Sequence, residues 1–226
     1  VNSHAVRDNN GNILYYEGTL QDITSRKLAE EELSQLKKTL EGVINAISST
    51  VEMREPCSKD HQKRVSKLAG TIANEMGFTQ DAIKNLVIAG LIHDIGKISI
   101  PAEILNKPAQ LSEMEFSLVK THALAGYNIV KTSGLSYPVS EVVLQHHERL
   151  NGSGYPTGLK GVEILLESRI LAVADVVEAI VSNRPYRLAL GINAGLTEIK
   201  KNKGILYDTD VVNVCLKLFQ EKQFTF

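Results

Sequence analysis

The sequence predicts an all-α protein: a helical bundle, preceded by a long coiled-coil-like helix and a short β-hairpin. Three observations predict it. From residue 51 onward apolar residues recur at helical spacing, and helix-capping residues stand at segment starts. Residues 26–50 carry a heptad seam. Strand-like sequence is confined to the first 25 residues. The chain has 226 residues, 43% hydrophobic and 23% charged. That suffices for one good-sized domain with an appendage and a real core.

In residues 1–25, Asp8-Asn9-Asn10-Gly11-Asn12 is a turn signal. The run Ile13-Leu14-Tyr15-Tyr16-Glu17-Gly18-Thr19-Leu20 follows it and has strand composition. A disordered tail is the alternative, since so short a segment cannot build its own core. Residues 26–50 read as one helix. Ala29, Leu33, Leu36, Leu40, Val43 and Ile47 step alternately by four and three. Such a seam suits a two-stranded parallel coiled coil, and hence a homodimer through residues 26–50. A helix packing on its own domain is the other reading.

Beyond residue 51, Val65 to Ala73 has helical spacing, and Thr79 can cap the next helix. Leu86-Val87-Ile88-Ala89-Gly90-Leu91-Ile92 is apolar all round, which predicts a central, buried helix. Ser112-Glu113-Met114-Glu115 is a capping box. Pro138 suits the first turn of a helix ending near His146-His147. Ile170 to Val181 predicts a second buried helix, and Asp210-Val211-Val212 opens a last amphipathic one. No strand pattern and no repeat is evident here.

Composition also limits function. A net charge of −1 offers no general attraction to DNA or RNA, although local cations could bind a small anion. Two distant cysteines, Cys57 and Cys215, argue against a disulfide framework and fit a reducing cytoplasm. No apolar run reaches membrane-span length. No signal peptide is evident, and a start at Val1 suggests a piece of a longer protein, with an upstream anchor left open.

Chemistry concentrates in five of the six histidines, His61, His93, His122, His146 and His147, and in Asp94 and Asp175. Imidazole and carboxylate are donors that Fe, Mn and similar divalent ions accept. His93, Asp94 and Lys97 fall within one turn of a helix expected to be buried. Burying all three uncompensated is costly. A metal would match the acid and leave Lys97 facing an anion such as phosphate. A buried Asp94–Lys97 ion pair beside a satisfied histidine is the alternative. Asp175 is the only charge between Ile170 and Val177. A metal is its economical partner, a solvated groove the other. Adjacent helical residues point about 100° apart, so His146 and His147 rarely serve one packing purpose. The loop Asn151-Gly152-Ser153-Gly154-Tyr155-Pro156 is either shaped for a task or a plain turn.

Taken together, His61, His93-Asp94-Ile95-Gly96-Lys97, His122, His146-His147-Glu148-Arg149, Gly154-Tyr155-Pro156, Asp175 and Arg184-Pro185-Tyr186-Arg187 resemble the HD-GYP family in order and spacing. This is a branch of the HD metal-dependent phosphohydrolases, and the likeness covers roughly residues 51–222. It implies an HD-domain helical bundle over residues 51–226. It also implies hydrolysis of cyclic di-GMP to pGpG and then GMP. Gly11 to Lys27 similarly resembles the last hairpin and exit of a PAS sensor domain. That would make residues 1–25 a PAS remnant and residues 26–50 a signalling linker.

The HD-GYP resemblance further implies residue roles. His61, His93, Asp94 and Asp175 look like the ligands of one metal. His122, His146 and His147 look like those of a second, with Asp94 bridging and acting in catalysis. Two divalent ions, Fe or Mn, fit such a donor set better than a tetrahedral structural Zn. Lys97 looks like a catalytic contact to the scissile phosphate, Arg184 and Arg187 like substrate clamps. Tyr155 looks like the family's loop tyrosine, contacting substrate or docking a GGDEF-type cyclase. Some members have Glu where Cys57 stands, serving a third metal, so two metals are expected. Many have Asp where Asn151 stands, a change expected to matter little. Another cyclic dinucleotide, a nucleoside phosphate, or a ligand-binding module without catalysis are the competing readings.

Overall fold

Strands β1 (Asn2–Arg7) and β2 (Ile13–Thr19) form an antiparallel hairpin in the computed structural model, which describes residues 2–19, 21–54, 60–182 and 189–226. The turn closes as its composition predicts. The Asp8 carboxylate accepts from the backbone N–H of Asn10 (2.9 Å) and Asn12 (2.8 Å). Gly11 takes a φ of 85°, open to glycine without strain. The hairpin belongs to the unit Val1–Val43, and the second unit is Ile44–Phe226.

Helix α1 (Thr24–Glu52) contains the predicted linker helix with two extra residues at each end. Its seam residues Leu33, Leu36, Leu40, Val43 and Ile47 are 38–56% exposed, so among the described residues nothing buries that stripe. Its end differs. Ile44 packs on the core of the second unit, and Ser48 and Val51 are buried. The reading of a helix packed on its own domain therefore holds for the last turns of α1.

The second unit is built from α2 (His61–Glu75), α3 (Gln80–Ile92), α4 (Ala102–Leu105), α5 (Glu113–Lys120), α6 (His122–Lys131), α7 (Val139–Gln145), α8 (Leu166–Val181), α9 (Ile192–Lys201) and α10 (Thr209–Gln220). Its starts are capped where the sequence indicates. Thr79 accepts from Ala82 N–H at 3.3 Å, and Ser112 and Glu115 form a complete capping box. Asp208 accepts from Asp210 and Val211 at the start of α10. The core gathers Leu68 and Ile72 of α2, Leu86 of α3, Ile170, Leu171 and Val173 of α8, and Val211 and Val212 of α10. Burying each such side chain contributes about 1.5–3 kcal/mol. Helix α8 packs against α2 and α9 and is buried along most of its length, as its apolar run predicts.

Two expectations need correction. Helix α3 buries only Leu86, Ala89, Gly90 and Ile92, while Val87, Ile88 and Leu91 are half-buried. The reason is that α2, α7 and α8 cover one side of it. Nor do His93, Asp94 and Lys97 share a helix. Helix α3 ends at Ile92, and a 3₁₀ turn runs from Ile95 to Ser99. Gly96 explains the break. A Cβ there would overlap the His122 carbonyl oxygen and approach the Gly126 nitrogen at 2.5 Å, so the tightened turn lies directly on α6. Among the described residues, no helix is long and apolar enough to cross a membrane.

Candidate metal centre and active site

Five elements end at, or pass, one point. His61 opens α2, His93 follows α3, His122 opens α6, His146 and His147 follow α7, and Asp175 lies within α8. His61, His93, His122 and His146 are at most 1% exposed, so their ring nitrogens have almost no water to bond.

Backbone carbonyls fix the rings. His93 Nδ1 bonds the Gly90 carbonyl at 2.7 Å, His122 Nδ1 that of Val119 at 2.7 Å, and His146 Nδ1 that of Val143 at 2.6 Å. A carbonyl only accepts, so each Nδ1 carries a proton and each Nε2 is the ring nitrogen turned inward. His61 is oriented differently, by a hydrogen bond from Nδ1 to the Glu178 carboxylate.

The inward atoms converge. His61 Nε2 is 3.3 Å from Asp175 Oδ1, and His93 Nε2 is 3.9 Å from the same oxygen. Asp94 divides its carboxylate: Oδ2 lies 3.4 Å from His93 Nε2 and 4.0 Å from His61 Nε2, and Oδ1 lies 3.4 Å from His122 Nε2. Two sets result, His61, His93, Asp94 and Asp94, His122, His146, His147, each with its donor atoms within 4.8 Å of one another. Lys97 Nζ stands 2.9 Å from Asp94 Oδ2, the ion pair that the sequence also allowed.

Charge states follow from burial. Burial lowers the pKa of His146 to about 3, helped by His93 and His122, and lowers those of His147 and His122. Burial also opposes charge on His61, but hydrogen bonds to Asp175 and Glu178 outweigh it and raise its pKa to about 9. Burial would raise Asp94 and Asp175. Lys97 and His93 hold Asp94 well below the usual carboxylate range, and His61 and His93 do the same for Asp175.

These features fit divalent cations. His122 Nε2 and His146 Nε2 face each other at 3.4 Å, and both carry lone pairs when Nδ1 is the protonated nitrogen. Two lone pairs in contact repel unless a cation lies against them. His93 Nε2 is buried with no hydrogen-bond partner among the described residues. Ionised acids and neutral His122, His146 and His147 are the state that metal binding requires, and a cation at His61 would displace its proton.

Tyr155 closes one side. Its ring lies 4.6 Å from His147 at 32° and 6.3 Å from His122 at 76°. Glu148, 2% exposed, fastens the loop, accepting from the backbone N–H of Thr157 (2.7 Å), Gly158 (3.1 Å) and Leu159 (3.1 Å). A Cβ on Gly154 would run into the Glu148 backbone, so glycine lets the loop fold back onto α7's end. The loop is therefore shaped, not a plain turn. Arg184, Arg187 and Cys57 lie outside the described residues.

Sequence reasoning gave Glu148 and Glu178 no role. Glu178 is fully buried, accepts from Arg64 Nε at 2.7 Å and Ser182 Oγ at 2.5 Å, and has its pKa held at about 2 against burial by His61, Ser182 and Arg64. The available signal was its place three residues after Asp175, on the same helical face. Glu148 directly follows the doublet, and only the folded-back loop reveals its task.

Fold and site together define a helical protein with a His–Asp metal-type centre, and the chain belongs to the HD domain family, matched over residues 45–211. It is 39% identical over 203 residues to a cyclic di-GMP phosphodiesterase of Thermotoga maritima, covering 88% of this chain and 54% of that protein. It is 32% identical over 213 residues to the cyclic di-GMP phosphodiesterase response regulator of Xanthomonas campestris pv. campestris, covering 91% and 56% respectively. The chain thus spans about half the length of the curated relatives it matches. A cyclic GMP-AMP specific phosphodiesterase of Vibrio cholerae shares the fold, with a TM-score of 0.63 at 19% identity over 80% of this chain and 49% of that one.

Proposed function

We propose that this chain is a metal-dependent phosphodiesterase that hydrolyses cyclic di-GMP to pGpG, GMP or both. One observation carries this reading: Asp94 presents one oxygen to His61 and His93 and the other to His122. A shared carboxylate between two donor sets is the arrangement a pair of cations needs. His61, His93, Asp94 and Asp175 would hold one ion, and His122, His146 and His147, with Asp94, the other. Fe or Mn matches these donors. Bound there, such ions supply Lewis acidity toward a phosphodiester.

The remaining work falls to the protein. Carbonyl bonds at three Nδ1 atoms and Glu178 at His61 hold the lone pairs in place. Lys97 sets a positive charge beside the cluster, where charge on phosphoryl oxygens would grow. Tyr155 shields His147 from water on one side. Arg184 and Arg187 remain our proposed substrate clamps, since guanidinium forks suit phosphate and guanine edges.

The test is anaerobic purification with Fe or Mn, metal analysis and chromatography of the nucleotide products. Asp94→Ala is expected to lose both ions and turnover together; full hydrolysis by that variant would refute the scheme. A mixed guanine–adenine cyclic dinucleotide is the second reading, favoured by 38% identity over 169 residues to a 3'3'-cGAMP-specific phosphodiesterase of Vibrio cholerae. Relative kcat/KM on the two substrates decides between them. A catalytically silent binding module fits less well, because all seven proposed ligands are present, and docking of a GGDEF-type cyclase at Gly154-Tyr155-Pro156 fits less well, because Tyr155 is packed on His147.

We retain residues 1–25 as a PAS remnant and residues 26–50 as a linker. The exposed seam of α1 supports a homodimer in a cytoplasmic signalling protein. Sedimentation of the wild type against Leu36→Lys tests the dimer, the lysine variant being expected as monomer.

A further inference from the structure

We propose that Phe116 and Lys120 of α5, together with Tyr155, form a stacking platform for a purine base of the substrate. This rests on the cyclic dinucleotide reading above, and it adds to Tyr155 two residues, Phe116 and Lys120, that neither the family likeness nor the ligand set includes.

Helix α5 buries none of its residues, so its aromatic ring does not serve the core. Phe116 is 45% exposed, so part of its ring is open to a ligand. Its ring meets the Tyr155 ring edge-on, at 6.4 Å and 83°. Tyr155 in turn lies on His147 at 4.6 Å. A chain of ring contacts therefore leads from the histidine cluster out to Phe116.

Lys120 stands one helical turn after Phe116, on the same face. Its ammonium lies 4.7 Å from the Phe116 centroid and 5.7 Å from that of Tyr155. Only Thr121 separates Lys120 from His122, so α5 cannot move without disturbing a proposed ligand. The far end is also pinned, by the Ser112–Glu115 capping box and a 2.7 Å ion pair between Lys107 and Glu115. The platform is preformed, which spares the ligand an ordering cost.

An exposed phenyl ring and a half-buried phenol ring joined by a cation suit one class of ligand, a flat heteroaromatic base carrying a phosphate. Every base has a π-face to stack, and the ammonium attracts both the ring and the anion. A phosphodiester bound at the cluster would have its attached base within reach of Tyr155 and Phe116.

The chain contains no tryptophan, so Phe116→Trp introduces a single indole at the platform. GMP is expected to quench its fluorescence saturably, and ribose 5-phosphate, which lacks the base, is not. Phe116→Ala should raise the KM for cyclic di-GMP roughly 5- to 150-fold, the range for losing one stacked base, with a smaller effect on kcat. Phe116→Trp should restore it. Phe116 is not buried, so misfolding does not confuse the result. Hydrolysis with unchanged KM in Phe116→Ala, or equal quenching by both probes, overturns the platform. Quenching by GMP without turnover of any cyclic dinucleotide keeps the platform and rejects the phosphodiesterase reading. Absence of both rejects the two together.

Discussion

Glu178 shows how a residue that touches no phosphate can govern the site. It holds His61 through Nδ1 and is itself tied to Arg64 and Ser182. Glu178→Gln keeps the volume but turns a charged acceptor into a neutral amide. Loss of such an outer partner typically costs 10- to 100-fold in metal affinity. We expect that loss, read by chelator competition with Mn, while circular dichroism stays helical. An affinity within twofold of wild type would show that His61 needs no such support. The histidines and acids that cluster were legible in the sequence, because histidines are scarce and their spacing is distinctive. Glu178 was not, because its partner His61 lies 117 residues away and no local pattern links them.

At the scale of elements, the junction after α3 decides the geometry. The 3₁₀ turn lets Gly96 touch α6, which carries His122 and Gly126. Gly96→Ala forces α6 outward, because the obstructing atoms are backbone and cannot rotate away. Overpacking of this kind costs about 1–3 kcal/mol. The expected outcome is a lower urea midpoint together with fewer metal equivalents per chain. Unchanged values for both would mean that the turn and α6 separate freely. The caps at Thr79 and Ser112 and the buried run of α8 were readable, since caps and periodicity are local. The end of α3 was not, since helical apolar spacing carries on from Ile88 and Ile92 to Ile95 and only the approach of α6 shows the break.

For the whole molecule, Cys215 reports on the core that holds the site together. It is fully buried on α10, among Val211 and Val212, and burial pushes its thiol up to about 12 from a usual 9.0. The sign is that of a neutral acid stabilised by folding. Its contribution is whole below about pH 9 and declines as pH rises above that value. Iodoacetamide at pH 8.5 should therefore leave the Cys215 peptide unmodified in native protein and alkylate it fully in denaturant. Peptide mass spectrometry distinguishes the two, and rapid alkylation in the native state would contradict a sealed core.

The sequence by itself determined the inventory of histidines and acids at the cluster, the helical class, the caps and the turn at Asp8–Asn12. Each of these depends on residue type and on neighbours within a few positions. Only the tertiary structure decided which oxygen of Asp94 faces which histidines, that Glu178 and Glu148 are buried anchors, and that α1 buries its last turns and exposes the rest. Those outcomes arise from close approach between elements far apart in the chain, where packing and desolvation act across space and leave no periodic trace in the order of residues.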